Sequence, residues 1–185
     1  MKRICIFAGS SAGSSPVFAE QTKILGQALA SRGIELVYGG ARSGLMGAVA
    51  DEVLAHGGSV TGVMPTHLFD KEVPHPDITK MIEVDTLHER KAKMSELADG
   101  FIALPGGFGT LEELFETVSW AQIGIHQKPV ALFNIGGYYT PVMKLVEHSV
   151  QAGFVKEEHQ DLMVASSDPQ QLLDEMEAKE KPGLR

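Results

Sequence analysis

FIALPGGFGTLEELF, residues 101–115, passes from an unbroken apolar run through three glycines into a helical period. The run 101–105 reads as a short buried strand. The helix read after it, TLEELFETVSWAQIG, carries Leu111, Leu114, Phe115, Val118 and Ala121 along one face. Working outward, the same alternation repeats. Strands are expected at 3–8, 35–38, 59–64, 81–84 and 129–134, with a further short one near 162–166. Helices are expected over 17–33, 45–57, 87–100 and 141–152, and from Pro169 onward. Pro65, Pro74 and Pro76 mark 65–80 as a loop. Continuous apolar strands alternating with helices predict an α/β fold whose mainly parallel sheet is covered on both faces. Residues 1–180 read as a single domain and 181–185 as a loose tail.

Composition narrows the function classes. Hydrophobic residues make up 43% of the 185, enough for a sizeable core. The net charge of -8 disfavours a nucleic-acid groove, which needs a basic stripe. No stretch approaches the ~20 apolar residues of a bilayer span, so no membrane partner is expected. The run Ile4–Ala8 is too short for the core of a signal peptide. A lone cysteine, Cys5, excludes an intrachain disulfide, and a cytoplasmic location is inferred. His67, Asp70, Glu72, His75 and Asp77 are the nearest approach to a metal cluster. Prolines interrupt it and it lacks recognised ligand spacing, so it reads as a polar loop and no metal is assigned.

Parallel sheets bind ligands beyond the carboxyl ends of their strands. Three glycine-bearing loops fall there: GSSAGSS (9–15), GGARSGLMG (39–47) and PGGFGT (105–110). In the last, glycines admit a ligand close to the backbone, and free N–H groups at the helix start favour an anion such as phosphate. A plain strand-to-helix turn would look the same. Thr110-Leu111-Glu112-Glu113 matches a capping box, with Thr110 as N-cap and Glu113 reaching back. The alternative is that the acid, about 5 Å into the helix, faces the sugar of a phosphorylated ligand whose phosphate sits on the loop. Arg90-Lys91 begins a helix at the same sheet edge, where Arg90 and Glu113 can converge. Taken alone, the pair reads as a solvated helix face, with Glu89 placed to pair with Lys93. GGARSGLMG is either a second backbone cradle or a close-packed turn. GSSAGSS lacks the dinucleotide fingerprint, and no Walker lysine follows any loop.

Together FAGSS (7–11), YGGARSGLMG (38–47), HERKAKM (88–94), PGGFGTLEE (105–113) and TVSWAQIGIH (117–126) resemble the LOG (LONELY GUY) family, the cytokinin riboside 5′-monophosphate phosphoribohydrolases. Members have often carried the label "lysine decarboxylase", but no lysine here is singled out for a Schiff base. The resemblance implies a Rossmann-like three-layer α/β/α domain and a homodimer. It implies hydrolysis of the N-glycosidic bond of AMP or an N6-modified AMP to free base and ribose 5-phosphate, without a cofactor. Arg90 and Glu113 are then the catalytic pair. Lys91, Gly107, Phe108, Gly109, Thr110 and Glu112, with Glu72 and Ser119, contact substrate. Gly9, Ser10, Gly39, Gly40 and Gly44 are further loop contacts. Where the family commonly has a third successive glycine after the tyrosine, this chain has Ala41, which puts the loop geometry in question.

On this reading a carboxylate stabilises the positive charge that builds on the ribose and orients or deprotonates water, a role given to Glu113. Arg90 holds phosphate or ribose hydroxyls, or keeps Glu113 ionised. A non-catalytic nucleotide or phosphorylated-cofactor binding protein is the alternative, since glycine loops serve both. A nicotinamide-dependent oxidoreductase is a third reading, which the missing fingerprint weakens.

Overall fold

The computed structural model describes residues 1–68 and 72–180. Seven strands form one sheet: β1 (Arg3–Phe7), β2 (Glu35–Tyr38), β3 (Val60–Pro65), β4 (Lys80–Val84), β5 (Gly100–Ala103), β6 (Val130–Phe133) and β7 (Met163–Ser166). Every strand pair is parallel, in the order β4-β3-β2-β1-β5-β6-β7. The expected short strand near 162–166 is therefore real and forms one edge. The tail 181–185 lies outside the described residues.

Six α-helices connect and cover the described strands: α1 (Pro16–Ser31), α2 (Gly44–Ala55), α3 (Leu87–Leu97), α4 (Phe108–Gln122), α5 (Thr140–Gln151) and α6 (Pro169–Lys179). Leu25 and Leu29 of α1, Val49 and Val53 of α2, and Leu172 and Met176 of α6 share one buried cluster with Ile4, Leu36 and Ile102. Met94 of α3 and Leu114 of α4 share a second with Cys5, Val37 and Phe101, against which Val142 of α5 packs. Successive strand residues point to opposite faces, so each apolar strand feeds both clusters. The result is the three-layer α/β/α arrangement. Edge strand β4 is largely part-exposed, as its mixed sequence KMIEV requires.

The strand order positions the site. From β1 the chain moves outward one way through β2, β3 and β4, then returns to pair β5 with β1 and moves the other way. The carboxyl ends of β1 and β5 are thus the point where the winding reverses, and there the covering loops part to leave a crevice. The loops after β1 and β5 touch: Gly9 N–H donates to the Pro105 carbonyl at 3.1 Å. A Cβ on Gly9 would lie 3.1 Å from the Gly106 Cα, so two bare backbones meet here.

Candidate active site

Helix α4 begins two residues before Thr110. Its N-cap is Gly107, and no side chain caps it. The expected capping box is absent. Thr110 is buried inside the first turn, with its hydroxyl under Gly106, where a Cβ would come within 2.1 Å of it. Three glycines and an exposed phenylalanine leave the first turn without a polar side chain that could fold back on it. Phe108 is 93% exposed, and a Cβ built on Gly107 or Gly109 would meet nothing within 4 Å. The helix N-terminus is therefore open to a ligand. The earlier start also moves Glu113: it lies about 9 Å along the axis from Gly107, rather than the single turn expected.

Arg90 leaves the first turn of α3 and is 7% exposed. Its Nη2 donates to the Gly39 carbonyl at 2.9 Å and stands 3.5 Å from Glu72 Oε2. A Cβ at Gly39 would sit 1.8 Å from that nitrogen, which is why the position must be glycine. The solvated-face reading of Arg90 fails. Among the described residues, Arg90 Nε and Glu72 Oε2 are buried without a hydrogen-bond partner. Polar atoms left so in a cleft are groups a ligand can satisfy.

Glu113 and its neighbours make the chemistry of the cleft. Burial pushes the Glu113 carboxyl up to about 7. Arg90 pulls it down, Glu112 and Glu72 push it further up, and burial outweighs the cation. Arg90 does not hold Glu113 fully ionised, as one expectation had it. Lys91 Nζ bridges Glu112 at 2.5 Å and Glu116 at 3.0 Å, tying α3 to α4. Lys93 pairs with Glu96, not with Glu89. Between α3 and α4 a narrow, partly enclosed space, walled by Lys91, Glu113, Glu116 and Trp120, reaches Phe7 and Phe101 on the sheet.

The remaining predicted residues divide. Gly9 and Ser10 stand beside the crevice, but the second loop is a close-packed turn. Leu45 N–H and Met46 N–H, at the start of α2, both donate to the Gly9 carbonyl, at 3.0 and 3.4 Å. Gly44, at φ +60°, packs against the Ser10 backbone. That helix start is thus occupied by the protein's own carbonyl. Gly40, at φ +85°, accepts from His75 N–H. Ala41 is fully buried and has no positive φ, so the departure from three glycines leaves no strain. Ser119 is not brought to the loop. It lies about 16 Å along α4 from Phe108, and its hydroxyl donates back to the Phe115 carbonyl.

Among the described residues no three His, Cys, Asp or Glu side chains gather as a metal site. Of the residues expected in the polar loop, His75 turns to Asp51 and Glu72 to Arg90, while Asp70 lies outside the described residues. No described helix is long and apolar enough to cross a membrane. Sequence reading missed two residues that hold the glycine loop from outside. Tyr138 donates its hydroxyl to the Gly106 carbonyl, and Tyr139 donates to the Leu104 carbonyl. Their signal was a fourth glycine pair, Gly136-Gly137, after a strand ending at the same sheet edge.

Similarity to known proteins agrees with this geometry. Residues 46–176 match a family described as "Possible lysine decarboxylase". A probable cytokinin riboside 5′-monophosphate phosphoribohydrolase of Oryza sativa subsp. japonica is 47% identical over 95% of this chain and 78% of its own length. A cytokinin riboside 5′-monophosphate phosphoribohydrolase of Arabidopsis thaliana is 44% identical over 97% of this chain and 82% of its own. Among solved structures, the molybdenum cofactor carrier protein of Chlamydomonas reinhardtii superposes with a TM-score of 0.71 at 21% identity, over 96% of this chain and 97% of its own. At that identity the likeness shows the shared Rossmann-like fold alone. With relatives at this level over nearly its whole length, the chain belongs to the LOG (LONELY GUY) family of phosphoribohydrolases.

Proposed function

We propose that this protein hydrolyses the N-glycosidic bond of adenine-type nucleoside 5′-monophosphates, including N6-substituted ones, to free base and ribose 5-phosphate. The observation that carries the proposal is Glu113: a carboxyl raised to about 7, in a cleft beside buried Arg90 and below an uncapped helix start. The phosphate binds the free N–H groups of Gly107, Phe108 and Gly109. Helix dipole and donors together favour an anion there. Gly9 and Ser10 line the facing loop. Arg90, whose Nε–H has no partner among the described residues, bonds ribose or phosphate oxygens, and Glu72 orients it.

The bond from the anomeric carbon to the base nitrogen breaks, and its electron pair leaves on the base. The ribose ring gains positive charge, which the Glu113 carboxylate stabilises. A water oxygen then bonds to the anomeric carbon, its proton passes to Glu113, and Glu113 hands that proton on to the nitrogen of the departing base. A carboxyl near pH 7 can take a proton and return it within one cycle. The scheme calls for no metal or organic cofactor.

We further propose that residues 1–180 act as a single domain, as a cytoplasmic homodimer. In support of the dimer, α4 and the turn that ends it leave Phe115, Ile123 and Ile125 exposed, and Ile123 is 69% accessible. In support of a reducing compartment, Cys5 is the lone cysteine and is buried. Sedimentation of the purified protein tests the first point. The activity is tested by incubating the protein with AMP, N6-isopentenyladenosine monophosphate and adenosine, and resolving free base by chromatography. Base released from the monophosphates and not from adenosine is expected. Equal release from AMP and adenosine would remove the phosphate site, and no release from any would leave only a binding protein.

A further inference from the structure

The geometry points to Tyr138 as a positioning residue that aims the Gly107 N–H of the phosphate loop into the crevice. The inference rests on the phosphate-loop part of the reading above and goes beyond it to a residue outside the loop. The peptide group joining Gly106 to Gly107 is planar and trans, so its carbonyl and its N–H point in opposite directions. Whatever holds the Gly106 carbonyl therefore sets the direction of the Gly107 N–H. That holder is the Tyr138 hydroxyl. Two adjacent glycines offer little resistance to a peptide flip. Flipped, the same peptide would present a carbonyl oxygen to the phosphate, replacing attraction by repulsion.

Tyr138 is itself held. Gly136 and Gly137, at φ +58° and +77°, turn the chain sharply after β6. Asn134 Oδ1 accepts the Tyr139 N–H at 2.7 Å, and the Tyr138 N–H donates to the Ile135 carbonyl. The Tyr138 ring meets Tyr139 edge-on at 5.1 Å and Phe18 edge-on at 6.2 Å. Phe18 in turn covers Gly13, where a Cβ would lie 2.7 Å from its ring. The aromatic bridge thus joins the loops after β1 and β5 from the far side of the β6 turn. Tyr139 serves differently: its hydroxyl lies buried on the Leu104 carbonyl, whose peptide group ends in the Pro105 nitrogen and has no N–H to aim.

The test is Tyr138→Phe, which keeps the ring and removes the hydroxyl, with Tyr139→Phe as comparison. Calorimetric titration with ribose 5-phosphate and with adenosine reads affinity without turnover. For Tyr138→Phe, ribose 5-phosphate affinity is expected to fall about tenfold, as for loss of one charge-assisted donor. Adenosine affinity should stay within twofold and Tm within about 2 °C. With AMP as substrate, KM should rise by the same tenfold with little change in kcat, the pattern of lost uniform binding. In amide NMR, the shift of Gly107 on adding ribose 5-phosphate should shrink. For Tyr139→Phe, Tm should fall and both ligands should weaken together. Ribose 5-phosphate affinity unchanged in Tyr138→Phe, or an equal loss for both ligands, would overturn the inference. Wild-type protein that binds ribose 5-phosphate yet leaves AMP intact would sink the hydrolase reading while leaving the Tyr138 test decided on its own terms.

Discussion

Two helices of this protein carry the same four-residue pattern and use it in opposite ways. At the start of α3, Thr86 accepts from Glu89 N–H at 3.1 Å, and the Glu89 carboxylate accepts from Asp85 N–H at 2.9 Å. At the start of α4, Thr110 and Glu113 sit at the same spacing and cap nothing. The difference lies in what precedes them. Helix α3 follows edge strand β4, where the chain enters from water and side chains satisfy the first N–H groups. Helix α4 follows β5 in the middle of the sheet, and Gly107 and Gly109 let it begin two residues early against the β1 loop. That start swallows Thr110 and points Glu113 into a cleft. A helix end that caps itself has few donors left to offer. One that does not can take an anion.

The sharpest way to break the contrast is to neutralise each glutamate. Glu113→Gln should lower kcat on AMP by ~10²–10⁴, the usual worth of a general base, with the circular dichroism spectrum unchanged. Glu89→Ala should leave turnover within about twofold while lowering Tm by a few degrees. Full turnover in Glu113→Gln would make the two helices equivalent. The pH profile sharpens the assignment. Glu113 must be ionised to stabilise the ribose cation, and burial holds it at about 7. Activity should therefore fall as pH drops through about 7, far above an ordinary carboxylate. A profile flat down to pH 5 would show that the carboxyl is not the working group.

How far the sequence could be read follows from the same pair. Alternating apolar runs fix the period and hence the sheet. Even the marginal strand at Met163–Ser166 was visible as a short apolar run: Val164 packs into one buried cluster, and Met163 and Ala165 pack against the other. The open helix start was readable as a glycine loop, but its register was not. A capping box is a local pattern, while the early start of α4 depends on Gly106 meeting Gly9 from 97 residues away. Gly44 shows the same limit. Its loop read equally as a second backbone cradle or a close-packed turn, and only the Gly9 carbonyl at the start of α2 decides for the turn. Tyr138 and Tyr139 were opaque for a further reason. Nothing in their own surroundings tells a loop tyrosine that its partner is a carbonyl over 30 residues back in the chain.

Stability should separate the two acids in sign as well as size. The folded state raises Glu113 from 4.5 to about 7, so between those values the native protein binds a proton that the unfolded chain releases. Stability attributable to this site therefore falls as pH rises through that window, and the cost is complete above about 7. Replacing the acid by glutamine removes the cost. Glu113→Gln should be more stable than wild type at pH 8, by up to about 3 kcal/mol, with the gain fading toward pH 4.5. Urea midpoints at the two pH values measure it. A glutamine variant less stable at pH 8 would mean that the carboxylate is well paired in the native state, as an ordinary cap is.

The smallest effects belong to the threonines, and they still discriminate. Thr86→Ala removes an N-cap bond worth ~1 kcal/mol, which in a chain of this length moves Tm by about 2–4 °C. Thr86→Ser keeps the hydroxyl and should restore it, since serine caps at least as well as threonine. Thr110→Ser also keeps its hydroxyl but gives up a methyl group in a site only 4% exposed, at a cost of about 1 kcal/mol. Serine is thus benign at one position and harmful at the other, although the local pattern is the same. The two serine variants, melted side by side, should differ by a few degrees. Equal melting temperatures would mean that Thr110 is held through its hydroxyl alone, and the case for an early, uncapped start to α4 would lose its footing.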